Sequence, residues 1–428
     1  MLLRQSLGIC RVTHILRTVD PTAISTELEA LDSIYLDTLQ FLASYELTPD
    51  AWVQGGLPVK LGGVGLSHCS DVAPLAYVAS ALTFSAKCRD LGLPVSASLP
   101  PKAFGSACSL ISPALGPAVA ELKQAAENML NPLQHSDPQA QSQHWWTSSL
   151  HAKSLRELIS RASARDRVRL QSLLLPLSGS WLTALPSSKL GLSFSTTEFE
   201  VLLRTRLGLP VYNGRPGPCP LCGDALDRFG DHATCCAKSN LTARHNGVTS
   251  ALGRVLTSAG LSVTFEVAIA GKLRPADLYV RGLSFPEPDV LDATVVNPTA
   301  GFDQPAAAER VAQAERHKHE KYDDLCQRAK VKLTAFGMST LGGVGPEAYT
   351  FLGRIREKLI QEHGKTEGGV LAQEAMERIS VACQRGVAAQ LLKSIGGLRS
   401  TTPSAQRAQA KAPSECGGDA EQEAAMEQ

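Results

Sequence analysis

The residues best suited to chemistry lie in the second half of the chain, and the first group of them is rich in cysteine. Cys219 and Cys222 are separated by two residues, and His232, Cys235 and Cys236 follow shortly afterwards. A two-residue gap lets both thiolates reach one tetrahedral ion from a tight turn, and Zn²⁺ favours sulfur and imidazole ligands. The spacing therefore predicts a closed, structural zinc site whose fourth ligand is Cys235 or Cys236. The alternatives are a disulfide, or structural thiols near an unrelated histidine.

A second group consists of carboxylates placed inside apolar, β-rich runs. Asp277 begins one short run, Asp292 lies in the middle of the next, and Glu266 lies in the run before them. Neighbouring strands can bring such carboxylates side by side, and hard oxygen ligands suit Mg²⁺. An ionised aspartate is costly in an apolar strand unless it is paired or binds metal. The alternative is that Asp277 pairs with Arg274 or Arg281, and that Asp292 faces solvent on an edge strand.

The choice of the second acid and of a cationic partner depends on which faces the elements present. Asp289 competes with Asp292, but the two are three positions apart and so point to opposite sides of a strand. Only one of them can face Asp277. Lys318 and Tyr322 are four residues apart and share one helical face. A lysine facing two carboxylates can orient water or neutralise charge on a phosphate, whereas by itself Lys318 would be an ordinary surface lysine.

Overall charge limits how the chain can contact nucleic acid. The 428 residues include 42 basic and 41 acidic side chains, for a net charge of +1. A protein that coats nucleic acid would be far more basic, so any such contact must be local. Hydrophobic residues form 43% of the chain, enough for a sizeable core.

The sequence shows neither a long apolar run nor a secretory signal, so we expect a reducing, non-membrane location that disfavours disulfides. Residues 1–19 carry Arg4, Arg11 and Arg17 and no acid, which is also typical of a mitochondrial presequence. We favour an amphipathic helix there, because the apolar pattern continues through Leu28 and Leu31.

The elements that must position these groups change in kind along the chain. Residues 1–180 are predicted to be mostly helical, without a catalytic centre. A basic series on the helix around 150–175 is interpreted as a solvated face; it comprises Lys153, Arg156, Arg161, Arg165, Arg167 and Arg169. Beyond a helix at 197–207 and the cysteine-rich stretch, the pattern becomes α/β. The predicted elements are helix 244–259, strands 261–268, 276–281 and 289–296, helix 305–330, strand 332–337, and helices 346–361 and 371–393.

The motifs, taken in order, resemble the C-terminal region of non-LTR (LINE-type) retrotransposon polyproteins that carry a restriction-like endonuclease. They are Cys219 and Cys222, Asp231-His232, Cys236, Arg244-His245-Asn246, Glu266, Arg274-Pro275-Ala276-Asp277, Leu291-Asp292-Ala293-Thr294, and Lys318 with Tyr322. The resemblance covers about residues 200–395, and residues 1–90 are similar to a reverse transcriptase thumb and its extension. The only adjacent aspartates, Asp323-Asp324, fall in a charged helix, so the chain is not expected to contain a polymerase palm.

The resemblance implies a PD-(D/E)xK-type fold, a mixed sheet flanked by helices, which nicks DNA with Mg²⁺ or Mn²⁺. Asp277 matches the acid of the basic-Pro-Asp motif, although Ala276 is inserted before it. Asp292 matches the second acid. Lys318 matches a displaced catalytic lysine, because Thr294 stands where many such nucleases have lysine.

Further roles follow from the resemblance in the same way. Cys236 is favoured as the fourth zinc ligand, and Glu266 and Tyr322 join the catalytic group. Residues implied to contact nucleic acid are Arg244, His245, Asn246 and Arg274. The implied partners are DNA and element RNA, in the nucleus.

These inferences divide the chain into six parts. They are a thumb-like remnant (1–90), a helical connector (91–210), a zinc knuckle (211–243), a restriction-like endonuclease domain (244–365), a C-terminal helix (366–395) and a disordered tail (396–428). The function expected is metal-dependent DNA nicking. The alternative is an inactive, nucleic-acid-binding fragment of a decayed element.

Overall fold

The computed structural model describes residues 8–92, 106–107, 109–110, 142–214, 216–268, 276–300 and 307–401. Over these residues the chain is a mixed α/β protein, mostly helical, with a small four-stranded sheet. Arg274, most of residues 93–141 of the connector expected at 91–210, and the tail beyond Thr401 lie outside the described residues. None of the helices within the described ranges is both long and apolar enough to span a bilayer.

The described part of the first half of the chain is mostly helical, as the sequence predicts. Its α-helices are α1 (Thr13–Thr18), α2 (Ser25–Ala43), α3 (Pro49–Gly56), α4 (Cys69–Asp90), α5 (Gln143–Arg161), α6 (Ala164–Ser172), α7 (Ser180–Thr183) and α8 (Thr196–Leu207). Short 3₁₀ turns occur at Ile9–Arg11, Pro21–Ala23 and Val59–Leu61. Helix α8 begins at a capping box, in which Ser195 and Glu198 satisfy each other's backbone N–H groups.

The expectation of a solvated basic face is wrong for two of its arginines, Arg165 and Arg169, which are buried. Arg165 donates a second hydrogen bond of 2.8 Å from Nη2 to the Asp231 carboxylate beside its Nε contact. Arg169 donates from Nη2 to Gln54 Oε1 at 2.9 Å and from Nη1 to the Arg206 carbonyl. Burial is tolerated because each guanidinium finds oxygen acceptors that are remote in sequence.

The second half contains the sheet and the helices that cover it. The elements are α9 (Asp231–Cys235), α10 (Leu241–Ser258), β1 (Ser262–Val267), β2 (Ala276–Arg281), β3 (Asp289–Val296), α11 (Ala307–Ala329), β4 (Lys332–Ser339) and α12 (Pro346–Thr401). The strand order is β1-β2-β3-β4. The first two pairings are antiparallel and β3 pairs with β4 in parallel. Strands β2 and β3 have the bounds that the sequence predicts.

The two faces of the sheet are covered by different helices. Leu278, Val280 and Leu291 belong to a core shared with α10 and α12. Val290 and Tyr279 pack on the other face, in the cluster formed with α11. Along each of these two strands, alternate residues therefore face different helices, as a strand period of two requires.

Helix α12 spans two predicted helices and joins the same core on both sides of a kink. Gly364, at φ 80 and ψ 166, interrupts the helical backbone between them. Leu359 before the kink and Ile379 after it are both buried against the sheet core. The helix continues to Thr401, past the point where the sequence predicts a tail.

The edge strand β4 has its outward N–H groups satisfied by carboxylates. Ala335 N donates to Glu347 Oε1 at 3.1 Å, and Gly337 N donates to Glu315 Oε1 at 3.2 Å. Buried Glu315 also accepts bonds from the first-turn N–H groups of Glu347 and Ala348, so it caps α12 from a neighbouring helix. This network fixes α11 against β4 and the start of α12.

Candidate zinc and acid-pair sites

Four side chains, two from the turn at 219–222 and two from α9 and its C-terminal end, converge in a group able to hold a metal ion. The ligand atoms of Cys219, Cys222, His232 and Cys236 all lie within 4.8 Å of one another. In a tetrahedral zinc site with Zn–S bonds of about 2.3 Å, sulfurs are about 3.8 Å apart. Three thiols and one imidazole in this arrangement therefore fit Zn²⁺. Within the described ranges this is the one such group of three or more metal-binding side chains.

The third cysteine of the group, and its fourth ligand, is Cys236, as expected, and Cys235 points elsewhere. Cys236 is buried, whereas Cys235 is exposed and its Sγ lies 3.2 Å from the Asp231 carbonyl. Burial acts to raise the pKa of Cys219, but N–H bonds from Leu221 and Cys222 favour the thiolate and lower that pKa to about 7. A thiol whose thiolate is already favoured is well suited to bind metal.

The loop before α9 brings His232 to the cysteines. The Asp227 carboxylate accepts hydrogen bonds from the N–H groups of Phe229, Asp231 and His232, at 2.7 to 3.1 Å. Gly230, at φ +83, allows the backbone to turn into α9, and a Cβ there would lie 2.4 Å from a methyl of Leu391. The turn therefore requires glycine on both conformational and steric grounds.

Asp277 and Asp292 occupy facing positions on neighbouring strands. The register pairs Leu278 with Leu291, and one further step places Asp277 opposite Asp292. Facing residues on antiparallel strands have Cβ atoms about 4.5–5.5 Å apart. Glu266 continues the same row on β1, because the pairs Phe265–Leu278 and Val267–Ala276 bracket it opposite Asp277.

Each acid of the pair has a cationic partner from a different helix. His245 of α10 lies with Nε2 3.1 Å from Asp277 Oδ1, and the Ala293 N–H donates to Asp277 Oδ2 at 2.7 Å. Lys318 of α11 donates from Nζ to Asp292 Oδ1 at 2.8 Å. Lys318 therefore reaches the acid pair from the following helix, as expected.

The electrostatic environment makes the two acids unequal. Burial acts to raise the pKa of Asp277, but His245, the Ala293 N–H and Lys318 together hold it below its ordinary value. Burial raises the pKa of Asp292; Lys318 offsets part of this effect, and the neighbouring Asp277 makes a smaller contribution that raises the pKa further. The hydrogen bond to Asp277 raises the pKa of His245 despite its burial. Two carboxylates with opposite shifts are typical of a site that shares a cation or proton.

Asp289, the rival of Asp292, faces the opposite side of the sheet. It is completely buried and forms an ion pair of 3.0 Å with Arg354 of α12. Arg354 also donates to Ser284 Oγ at 2.6 Å. Asp289 thus belongs to the packing of α12 against β3, and Asp292 is the acid that shares a side with Asp277.

Tyr322 and Glu266 differ in how far they join the acid pair. Tyr322 is buried among Val290, Cys326 and Leu333, so it packs α11 on the sheet. Glu266 is exposed and has a backbone φ of +50. Their expected catalytic roles stay predictions.

Among the residues expected to contact nucleic acid, only some are accessible. Asn246 is exposed and His245 is partly exposed beside Asp277. Arg244 is instead buried, and its guanidinium donates to the carbonyls of Thr234 and Val295 and to Gln390 Oε1. That position gives no support to the expected contact between Arg244 and nucleic acid. Arg274 lies outside the described residues.

Sequence reasoning assigned His245 to nucleic acid and missed its contact with Asp277. The two residues are 32 positions apart, and only the packing of α10 across the end of β2 brings them together. The one hint in the sequence is that His245 directly follows Arg244. Adjacent residues on a helix point in different directions, so the two side chains do not have to share a partner.

Comparisons with protein-family models and with curated proteins find no match for this chain.

Proposed function

We propose that the chain is a metal-dependent DNA endonuclease of the PD-(D/E)xK type, derived from a non-LTR retrotransposon. The observation that carries the proposal is the facing pair Asp277 and Asp292, with Lys318 bonded to one and His245 to the other. Two partly buried carboxylates on one row of a sheet repel each other unless cations join them. A divalent cation, Mg²⁺ or Mn²⁺, would satisfy both.

In this proposal Asp277 and Asp292 hold the cation through their carboxylate oxygens. The cation, when bound, polarises the phosphodiester and favours ionisation of the attacking water. Lys318 already lies at hydrogen-bond distance from Asp292, so its ammonium is placed to orient that water or to offset charge on the phosphate. His245 keeps the Asp277 carboxylate in one orientation, because it holds Oδ1 while the Ala293 N–H holds Oδ2.

The zinc group has a structural role in the same proposal. Four protein ligands fill a tetrahedral zinc site and leave no open position for a substrate. The surrounding segment has a small apolar cluster of its own, which includes Tyr212, Leu226 and two of the cysteines. Zinc would therefore stabilise the fold of this segment beside the nuclease core.

DNA is the proposed substrate, element RNA a further partner, and the nucleus the proposed location. These assignments come from the resemblance of the motifs to the endonuclease of LINE-type elements. The net charge of +1 requires a local basic surface. Lys321, which is exposed next to Tyr322 on α11, lies on the helix that carries Lys318 and is suited to such a contact.

A second candidate function is a module that binds nucleic acid without cutting it. One observation favours it: within the described part of the chain, Asp277 and Asp292 do not form a three-ligand metal-binding group with any third side chain, although His245 contacts Asp277. Thr294 also stands where related nucleases carry lysine. In that case Lys318 and His245 would be permanent counter-ions of the acids.

A plasmid-nicking assay separates the two functions. Supercoiled DNA is incubated with the zinc-loaded protein in Mg²⁺ or Mn²⁺, beside Asp292→Asn and a matched control, Asp324→Asn, which changes an exposed aspartate on α11. The nuclease predicts nicking by the parent and the control, and loss of nicking in Asp292→Asn. A binding module predicts a gel shift of DNA with no metal-dependent nicking by any of the three proteins.

A further inference from the structure

Arg244 is a buried cation whose hydrogen bonds to the residues that the structure describes all go to neutral oxygen acceptors. It is 6% exposed, and its acceptors among those residues include no carboxylate. Its Nε is buried and has no hydrogen-bond partner in the described part of the chain, and burial lowers the pKa of the guanidinium. Burying a charge without a counter-ion is costly, so this side chain must achieve something that an apolar residue could not.

The three acceptors belong to three different elements. Nη1 donates to the Thr234 carbonyl at 2.7 Å and to Gln390 Oε1 at 2.7 Å, and Nη2 donates to the Val295 carbonyl at 3.2 Å. Thr234 lies in α9 between the zinc-binding residues His232 and Cys236, and Gln390 lies in α12. Arg244 thus joins the zinc segment, the C-terminal helix and β3 at one point.

The Arg244 side chain and its acceptors are connected to both acids through very short stretches of chain. Val295 follows Asp292 by three residues on β3. His245, the next residue after Arg244, bonds to Asp277. Any shift of Arg244 relative to β3 therefore moves His245 relative to Asp277 and the end of the strand that carries Asp292.

Two contacts near Arg244 hold the junction of α9, α12 and β3 together. Asn297 Nδ2, just beyond β3, donates to the Asp231 carbonyl at 3.0 Å and to Thr234 Oγ1 at 2.8 Å. A Cβ added at Gly386 of α12 would lie 2.6 Å from the Cγ of Arg244. The junction is packed on the α12 side and hydrogen-bonded on the α9 side, so it transmits displacements between them.

We propose that Arg244 is a positioning residue that couples the zinc segment to the acid pair, and that it does not contact DNA. The inference rests on the proposed nuclease function and deepens it. Arg244 sets the place of His245 and of the end of β3, and the zinc-bearing helix α9 in turn holds Arg244. Loss of this support displaces Asp277 and Asp292 from each other without removing either acid.

Single-turnover kinetics of Arg244→Lys distinguish positioning from DNA contact. Positioning predicts a fall of about 10- to 100-fold in the cleavage rate constant, as for other residues that support metal ligands. The Kd for DNA and its salt dependence should equal those of the parent. A phosphate contact predicts the opposite: weaker binding, because lysine keeps the charge but loses the fork of donors that holds a phosphate, and an unchanged rate constant. Arg254→Lys, at an exposed position of the same helix, is the matched control and should leave both quantities unchanged.

Asn297→Ala is a second variant, which keeps Arg244 and removes the neighbouring bridge to α9, together with the two hydrogen bonds that Asn297 Oδ1 accepts from Thr299. It should lower the rate constant in the same direction and leave Kd unchanged. If both variants cleave at the parental rate, the proposal is wrong.

A measurement that needs no cleavage keeps this proposal separate from the nuclease itself. In zinc-loaded protein, the ¹⁵N resonances of the His245 ring report its hydrogen bond to Asp277. Coupling predicts that Arg244→Lys and Asn297→Ala shift these resonances while Arg254→Lys does not. Absence of nicking by the parent with these shifts present would overturn the nuclease and retain the coupling. Unshifted resonances would overturn the coupling whatever the parent does to DNA.

Discussion

Lys318→Met removes the cation from the more deeply buried acid of the pair. Asp292 is 6% exposed, and Lys318 Nζ lies 2.8 Å from its Oδ1. Removing one partner of a buried ion pair costs about 3–5 kcal/mol, because the remaining charge has no counter-ion. The Lys318 side chain is 24% exposed, so solvent already screens part of the attraction between Lys318 and Asp292. We therefore expect the free energy of unfolding to fall by about 2–3 kcal/mol at neutral pH without divalent cations.

A double-mutant cycle with Asp292→Asn measures the interaction itself. Urea unfolding of the parent, both single variants and the double variant is followed by circular dichroism with zinc present and EDTA absent. Because the double variant has neither charge, it should recover most of the loss, with a coupling free energy of about 1–3 kcal/mol. A coupling below about 0.3 kcal/mol, the usual error of additivity, would refute the interpretation of Lys318 as the counter-ion of Asp292.

The same variant connects stability to the proposed cation. If Mg²⁺ or Mn²⁺ binds between the acids, it replaces the missing ammonium and stabilises Lys318→Met. A cation at a hundred times its Kd should add about 2.7 kcal/mol. This stabilisation should be absent in Lys318→Met/Asp292→Asn. Equal stabilisation of the single and double variants would show that the cation acts at another place.

Three further predictions concern the zinc site, the pH dependence of stability and the turn into α9. Cys219→Ser should lose zinc and unfold its segment while Cys235→Ser keeps one zinc per chain, as measured by elemental analysis; equal zinc in both would contradict the ligand assignment. Burial acts to lower the pKa of His319, but its contacts with two carboxylates raise it, so His319 adds stability that is fully present below its unfolded pKa of about 6.5 and is lost as pH rises through the higher folded value. Urea unfolding from pH 5 to 9 should show this loss in the parent and a flatter profile in His319→Gln; parallel profiles would count against it. Gly230→Ala should cost about 1–3 kcal/mol in the same assay, because the residue needs a positive φ and has no room for a Cβ; a cost below about 0.5 kcal/mol would contradict the steric argument.

Local patterns in the sequence were enough to predict the strands and the group of side chains that could hold a zinc ion. Strands Ala276–Arg281 and Asp289–Val296 match their predicted bounds, because each is a short β-rich run ended by glycine, proline or asparagine. The metal-binding group follows from ligand spacing within one short segment, a constraint that does not depend on the rest of the fold.

Contacts between remote segments could not be predicted in the same way. Arg165 looked like part of a solvated helix face, but its acceptor Asp231 lies 66 residues away. Arg244 looked like a nucleic-acid contact, but its acceptors come from α9, β3 and α12. A charged residue on a helix shows its spacing in the sequence, whereas its burial depends on which elements pack on that side.

The choice between Asp289 and Asp292 illustrates the boundary between the two cases. Strand alternation alone established that the two acids face opposite sides. Which side holds Asp277 depended on the register of β2 against β3, and Arg354 of α12 then compensated the acid on the other side. Neither the register nor the arginine has a local signal near Asp289.

Nicking of supercoiled plasmid DNA by the parent and by Asp292→Asn, in Mg²⁺ and in Mn²⁺, tests the central claim most directly. The acid pair predicts nicked circles that accumulate only with parent protein and a divalent cation, and that disappear with EDTA. It predicts a loss of at least about 100-fold in rate for Asp292→Asn, at the upper end of what a residue acting through the metal site contributes. Equal nicking by Asp292→Asn, or DNA binding by the parent with no cation-dependent nicking, would contradict the claim.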